Sequence, residues 1–583
     1  MKTRQFAFLG MGAALALASC SNDIPVADDA IYDGPVETNF LSVNIVGQGA
    51  AQSEKGTRAD YDDGIDAENQ VKNIRFYFFD ADHKPSQIVG ATGGFVSYVD
   101  WTAPIGQTGS SDDNISNVVN AKIMISTAND PADRPKSKPT YVVAVVNPTS
   151  DVKSAADGKE LDDLKALYAN YNSHDADNGF LMTNAVYSDK VMVEGQPKDA
   201  SMCEVDILPY LYTSEDDAKN NPVTIYVERV AAKVSVGTTL TAATGLTGLG
   251  ANEVAYDTGV TDNDGKKIYV KFLGWNVTAE ADQSYLIKNI NPSWTNTDIF
   301  NTTDIDWNST GRFRSFWAVN PAGTGVSYGN FSGNGDYASA KAVTTFAGNT
   351  SYTYLPENAG KALTGTQAAD MACATPSQVI VAAQLLDNTG RPLEIAQYGA
   401  TFFELNDLLQ LYADRSNIYK MSTSSDGTHY EKITAADLTF NTASEVAGAT
   451  VESGRYYVYP QIAGNEDIYC VGNSEGTQPN AENVKASLKA LGHAKVWTQG
   501  YTYWYFDIAH LGQGQTGSVG EKGVVRNHWY QATITTLSGL GTPVYRPDEV
   551  IYPEKTEEED SYIGAKINVL SWRLVPQNVS FAW

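Results

Sequence analysis

At 583 residues the chain is long enough to build more than one hydrophobic core, so at least two domains are expected. Its 69 acidic residues against 41 basic ones give a formal charge of −28, which opposes phosphate backbones and sets nucleic-acid partners aside. With 49 glycines, 33 tyrosines and 11% aromatic residues, the composition favours strands and turns.

Lys2 and Arg4 precede an apolar run from Phe6 to Leu17, the n-region and h-region of an export signal. The run is shorter than the ~20 apolar residues a membrane-spanning helix needs. It closes on Leu17-Ala18-Ser19-Cys20, which resembles the lipobox of bacterial lipoproteins. Residues 1–19 therefore read as a signal peptide, with Cys20 as the lipidated first residue of an exported precursor. Each buried acyl methylene contributes ~0.8 kcal/mol, so stable anchoring takes more than one chain.

Residues 21–38 read as an acidic, proline-broken tether. A first strand follows over 40–46, with Leu41, Val43 and Ile45 in period two. Residues 47–64 are loop-like and contain Gly56-Thr57-Arg58-Ala59-Asp60, a basic site in a setting that proteases favour. Strands are expected over 71–79 and 140–146, the second apolar enough to be buried on both faces. Leu161, Leu164, Leu167 and Tyr168 mark a short helix. Residues 223–236 read as one long strand. Asn263-Asp264-Gly265 signals a hairpin, and 379–386 reads as a core strand. Short helices are expected over 403–411 and 483–491, and aromatic strands over 501–506 and 523–534. After an acidic loop containing Glu554, Glu557, Glu558, Glu559 and Asp560, strand pattern resumes from Ile563. Leu570, Trp572, Leu574, Val575, Val579, Phe581 and Trp583 supply its apolar positions. Strands predominate without regular βαβ alternation, so two β-sandwich domains in tandem, with a few short helices, are the expected fold.

No pattern of catalytic chemistry emerges. The six histidines form no zinc spacing, and His510 and His528 read as hydrogen-bonded structural residues. Asp60-Tyr61-Asp62-Asp63-Gly64 and Asp262-Asn263-Asp264-Gly265 lack the full calcium-loop spacing and read as turns. Neither Gly-x-Ser-x-Gly nor a P-loop lysine motif occurs. The reading is therefore no enzyme, no catalytic residue, no metal and no cofactor. Cys203, Cys373 and Cys470, the cysteines that remain beyond Cys20, read as small buried residues rather than a disulfide framework.

Gly523-Val524-Val525-Arg526-Asn527-His528-Trp529-Tyr530 resembles the C-terminal signature of the fimbrillins that build type V pili. So do Leu540-Gly541-Thr542-Pro543, the acidic loop and Ile567-Asn568-Val569-Leu570-Ser571-Trp572. The lipobox, the first strand and Thr57-Arg58-Ala59 fall in the order that family shows, and the stalk subunit of the short, minor fimbriae is the nearest likeness. The resemblance implies an all-β fold of two transthyretin-like, Greek-key sandwich domains, 59–237 and 238–553. It also implies a lipidated pro-segment, 20–58, and a C-terminal acidic loop and donor strand, 554–583. It implies a precursor at the outer membrane, cut between Arg58 and Ala59 by an arginine-specific or trypsin-like protease. That cut would remove Leu41, Val43 and Ile45 with the lipid. The donor strand of an identical subunit, carrying Leu570, Trp572, Leu574, Val575, Val579, Phe581 and Trp583, would then fill the vacated groove. The product is an extracellular fimbrium that supports adhesion and biofilm formation. Its partners would be anchor and tip subunits and host or bacterial surface ligands. A tip adhesin of the same family, or a surface lipoprotein that holds a glycan on its Tyr- and Trp-rich strands, is the alternative.

Overall fold

The computed structural model describes residues 34–47, 68, 70–90, 92–103, 118–129, 138–169, 174–175, 179–189, 192–193, 196–197, 203–290, 312–314, 317–329, 352–360, 373–440, 458–510, 522–544 and 562–571. Strands dominate and the helices are short. The period-two segment forms β1 (Val36–Gly47), longer at both ends than its apolar core requires. Then come β2 (Asn73–Phe79), β3 (Tyr98–Thr102), β4 (Val118–Ala128) and β5 (Tyr141–Val146). Helices α1 (Ser150–Ala156) and α2 (Leu161–Lys165) precede β6 (Met182–Asn184). Helix α3 (Glu215–Asn220) and β7 (Val223–Arg229) follow. Hydrogen bonding runs in the order β4–β1–β7–β6–β5–β2–β3 within a ten-stranded sheet.

This sheet encloses one core on its inner face, including Leu41, Val43, Ile45, Phe76, Phe78, Ile123, Ala144 and Ile225. The other face of β2 and β5 carries Tyr77, Phe79, Val143 and Val145 against Val152 of α1 and Leu161 and Leu164 of α2. Both faces of β5 are buried, as its unbroken apolar run requires.

A second β domain is a sandwich. It contains β8 (Ala231–Thr238), β9 (Tyr256–Thr261), β10 (Lys267–Thr278), β11 (Tyr352–Pro356) and β12 (Gln378–Leu386). Strand β13 (Ile395–Tyr398), helix α4 (Leu405–Arg415), β14 (Ile418–Ser424), β15 (Gly427–Lys432) and β16 (Tyr469–Val471) come next. Helix α5 (Ala481–Ala490), β17 (Lys495–Trp497), β18 (Tyr501–Asp507), β19 (His528–Ser538) and β20 (Tyr562–Ser571) follow. One sheet has the order β11–β8–β19–β20, and the other contains β9–β10–β12–β18. Val234, Val236, Phe272, Val379, Val381, Trp504, Ala532 and Ile534 share the core between them.

The structure corrects two element readings. The expected strand over 223–236 is divided at Val230, and its halves β7 and β8 join different sheets. A continuous β-branched run carries no mark of that transfer. The expected strand over 523–534 begins only at His528, because Asn527 adopts a positive φ of 59° and turns the chain. The Asp262–Gly265 segment is a turn between β9 and β10. Asp262 Oδ1 accepts hydrogen bonds from the Asp264 and Lys266 amides at 2.9 Å each.

One feature was not foreseen. Between β13 and β17, which pair antiparallel, the chain builds a separate cluster from Leu408, Tyr412, Ile418, Leu438, Tyr469, Val484 and Leu488. The periodicity of α4 and α5 is legible in sequence; their shared core is not.

Candidate strand-exchange site

Strand β1 lies inside its sheet, not at an edge. It runs antiparallel to β4 over Val36–Val46 and parallel to β7 over Val43–Gly47. Leu41 stands opposite Ile123, Val43 between Ala121 and Val223, and Ile45 between Val119 and Ile225. All three are buried, Leu41 and Ile45 at 1% exposure and Val43 at 0%. At roughly 1.5–3 kcal/mol for each buried aliphatic side chain, they contribute roughly 5–9 kcal/mol before ordering costs. Lys122 of β4, opposite Ser42, pairs with Glu215 of α3 at 3.1 Å. These residues flank β1 on opposite sides, so the ion pair passes over its outer face, and Ser42 is buried to 6%.

Residues 48–67 lie outside the described residues, and with them Arg58 and Ala59; so does Cys20. The chain is described again at Glu68, a residue that sequence reading passed over. Glu68 is fully buried, and its carboxylate meets Lys233 Nζ at 2.9 Å. It also accepts a hydrogen bond from the Tyr354 hydroxyl, while its carbonyl accepts one from Arg229 Nε at 2.9 Å. The Lys233 ammonium lies between the rings of Tyr352 and Trp529, 4.2 and 4.1 Å from their centroids. The chain is therefore anchored ten residues beyond Arg58, where the two β domains meet.

At the other end β20 pairs antiparallel with β19 along its length and forms the edge of its sheet. Leu570 stands opposite Trp529. Trp572, Leu574, Val575, Val579, Phe581 and Trp583 lie outside the described residues.

The Gly523–Tyr530 signature has a different task. Arg526 is fully buried; its Nε donates to Glu357 Oε2 at 3.0 Å and its Nη1 to the Leu286 carbonyl at 2.8 Å. Arg229 Nη1 donates to Asn527 Oδ1 at 3.1 Å, and the Asn527 amide donates to the Ala231 carbonyl at 2.7 Å. Gly523 has φ 133°, and a Cβ there would lie 2.8 Å from both the Asn358 carbonyl oxygen and the Trp317 ring. His510 and His528 are buried beside Tyr530, whose hydroxyl is 2.8 Å from His510 Nδ1. The signature thus builds the junction between the domains.

Two family models match the chain. Residues 40–229 match "Major fimbrial subunit protein (FimA)", which spans β1 through β7. Residues 495–578 match "Major fimbrial subunit protein type IV, Fimbrillin, C-terminal", which spans β17 through β20. The chain is a fimbrial subunit of the fimbrillin type. This fimbrillin therefore belongs to a structural, non-enzymatic family of the cell surface. Similar solved structures include a fimbrilin (fimA) from Porphyromonas gingivalis W83, at 11% identity and TM-score 0.32, covering 92% of this chain and 99% of that one. The tip fimbrial protein Mfa3 from Porphyromonas gingivalis is similar at 11% identity and TM-score 0.29, covering 92% and 100%. A fimbrial assembly protein from Parabacteroides distasonis is similar at 12% identity and TM-score 0.26, covering 61% and 87%. Among curated proteins no match is found.

The described cysteines are free: Cys203 and Cys470 are buried and Cys373 is half-buried. Burial pushes the Cys373 thiol up to about 12, so it is a poor nucleophile at neutral pH. Among the described residues no helix is long and apolar enough to cross a membrane.

Proposed function

We propose that this fimbrillin is a stalk pilin that polymerises by protease-activated strand exchange. The observation that carries the reading is β1 itself. It is an interior strand with three buried side chains, and in sequence it precedes the polar stretch containing Arg58. A strand at that position fills the space between β4 and β7, so its removal creates a binding site of its own shape.

In this reading Cys20 carries the lipid that holds the precursor at the outer membrane. An arginine-specific or trypsin-like protease cuts after Arg58, and the mature chain begins at Ala59. Residues 20–58 leave together. The C-terminal segment of an identical subunit, with Leu570, Trp572 and Leu574 in period two followed by Val575, Val579, Phe581 and Trp583, takes the place of Leu41, Val43 and Ile45. Main-chain hydrogen bonds supply affinity, and the pockets for alternate side chains supply register. Anchor and tip subunits close the two ends of the polymer.

N-terminal sequencing of surface-assembled protein tests this reading. Ala59 is the expected first residue, and Arg58→Ala should leave a longer, membrane-held monomer. Normal polymerisation of that variant counts against the mechanism. Cys20→Ala should abolish acyl labelling and surface display.

A further inference from the structure

The two halves of β1 are held unequally. The β4 ladder covers Val36 through Val46, but the β7 ladder covers only Val43 through Gly47. Asn221-Pro222 precedes β7, and a proline has no amide with which to continue a ladder. Helix α3 occupies the positions before it. On that flank a backbone bridge joins Phe40 to Tyr212 in place of a ladder. The Phe40 amide donates to the Tyr212 carbonyl at 2.6 Å, and the Tyr212 amide donates back at 3.1 Å.

This loosely held half also carries exposed apolar surface. Val36 is 46% exposed and Met124, opposite Phe40 on β4, is 48% exposed. Phe40 and Tyr212 are half-buried beside them. The Lys122–Glu215 pair crosses at Ser42, where the half with one ladder meets the half with two.

We propose that the strand of a second copy first engages the Val36–Ser42 half of the β1 channel and then displaces β1 toward Gly47. The proposal rests on the strand-exchange reading and adds its direction. Local opening is easiest where the fewest backbone bonds must break together. An incoming strand that starts there gains hydrogen bonds as β1 loses them, instead of waiting for β1 to leave. The apolar surface at Val36, Phe40 and Met124 suits a segment with alternating apolar side chains, such as residues 561–583. That segment carries Lys566 and Arg573 and no acidic residue, so a lysine placed in its path opposes it.

The test uses the chain cut after Arg58 and a synthetic peptide of residues 561–583, with loss of the 20–58 fragment as the readout. Met124→Lys and Asn120→Lys add the same charge to exposed positions of β4, opposite Phe40 and Asn44 respectively. Met124→Lys should slow displacement about tenfold, and Asn120→Lys should leave it within about twofold of the parent. The reverse order, or equal slowing, overturns the proposal while leaving strand exchange intact. Failure of the peptide to displace β1 from the parent chain overturns the strand-exchange reading, and the proposal with it. Hydrogen exchange on the uncut chain needs neither variant nor peptide: Val36–Ser42 should exchange faster than Val43–Gly47, and uniform protection overturns the proposal.

Discussion

Lys288 and Glu228 are both fully buried, with Nζ and Oε2 2.8 Å apart. Glu228 belongs to β7 of the first domain and Lys288 follows β10 of the second, so the pair ties the domains together. Removing one partner strands the other charge in a low-dielectric interior. Lys288→Met should therefore destabilise the protein by about 3–5 kcal/mol, while the double change with Glu228→Leu should lose far less. Urea denaturation of the two variants checks this, and equal losses would show that shape, not charge, decides. A second residue-scale effect appears in acid. Burial works to raise the Asp387 carboxyl. Hydrogen bonds from the Arg391 amide, the Thr389 side chain and amide and the Gly390 amide outweigh it and hold the group below its usual range. A carboxylate depressed in the folded state contributes stability above its unfolded pKa of ~4 and loses it as pH falls through the folded value. Asp387→Asn should flatten that part of the acid loss in Tm and lower Tm at neutral pH. An unchanged difference between the two pH regimes would count against it.

At the scale of elements, legibility followed the range of the interaction. Strand β1 could be read because Leu41, Val43 and Ile45 alternate within seven residues. Strand β5 could be read because its apolar run is unbroken. The break at Val230 could not, because β7 and β8 have the same local character and differ only in their partners. Nor could Glu68, whose partners Lys233 and Tyr354 lie far along the chain. The Gly523–Tyr530 segment was conspicuous, but its sequence does not say that Arg526 faces Glu357. The module between β13 and β17 is the largest such case. It enters and leaves on paired strands, Ile395 opposite Trp497 and Gln397 opposite Lys495, and it has a core of its own. It also lies in the stretch between the two family matches. Replacing residues 399–494 by a short turn should leave the remaining sheets folded, because the two cut ends are already adjacent. Circular dichroism and thermal melting should then show a cooperative β-rich protein. A soluble but unfolded product would mean that the module supports the sandwich it leaves.

For the whole molecule, the proposed function requires a subunit incomplete until its neighbour arrives. The uncut chain hides that need, since β1 fills its own sheet and β20 lies along β19. Cysteine crosslinking distinguishes exchange between copies from an ordinary terminal strand. With Leu570, Trp572 and Leu574 facing the groove, the alternation of a strand turns residue 573 outward. Asn120 is exposed on the outer face of β4. Arg573→Cys combined with Asn120→Cys should therefore join successive subunits in assembled fibres and give a ladder on non-reducing gels. Among the chain's own thiols, Cys203 and Cys470 are buried and Cys373 is held protonated by burial, so background crosslinking should be low. The same pair placed on Arg58→Ala should give no ladder, because β1 would still occupy the groove. Crosslinks confined to single chains would assign residues 561–583 to their own sandwich and remove the physical basis for polymerisation by exchange. A ladder that forms without the cut would keep the polymer but show that β1 need not leave.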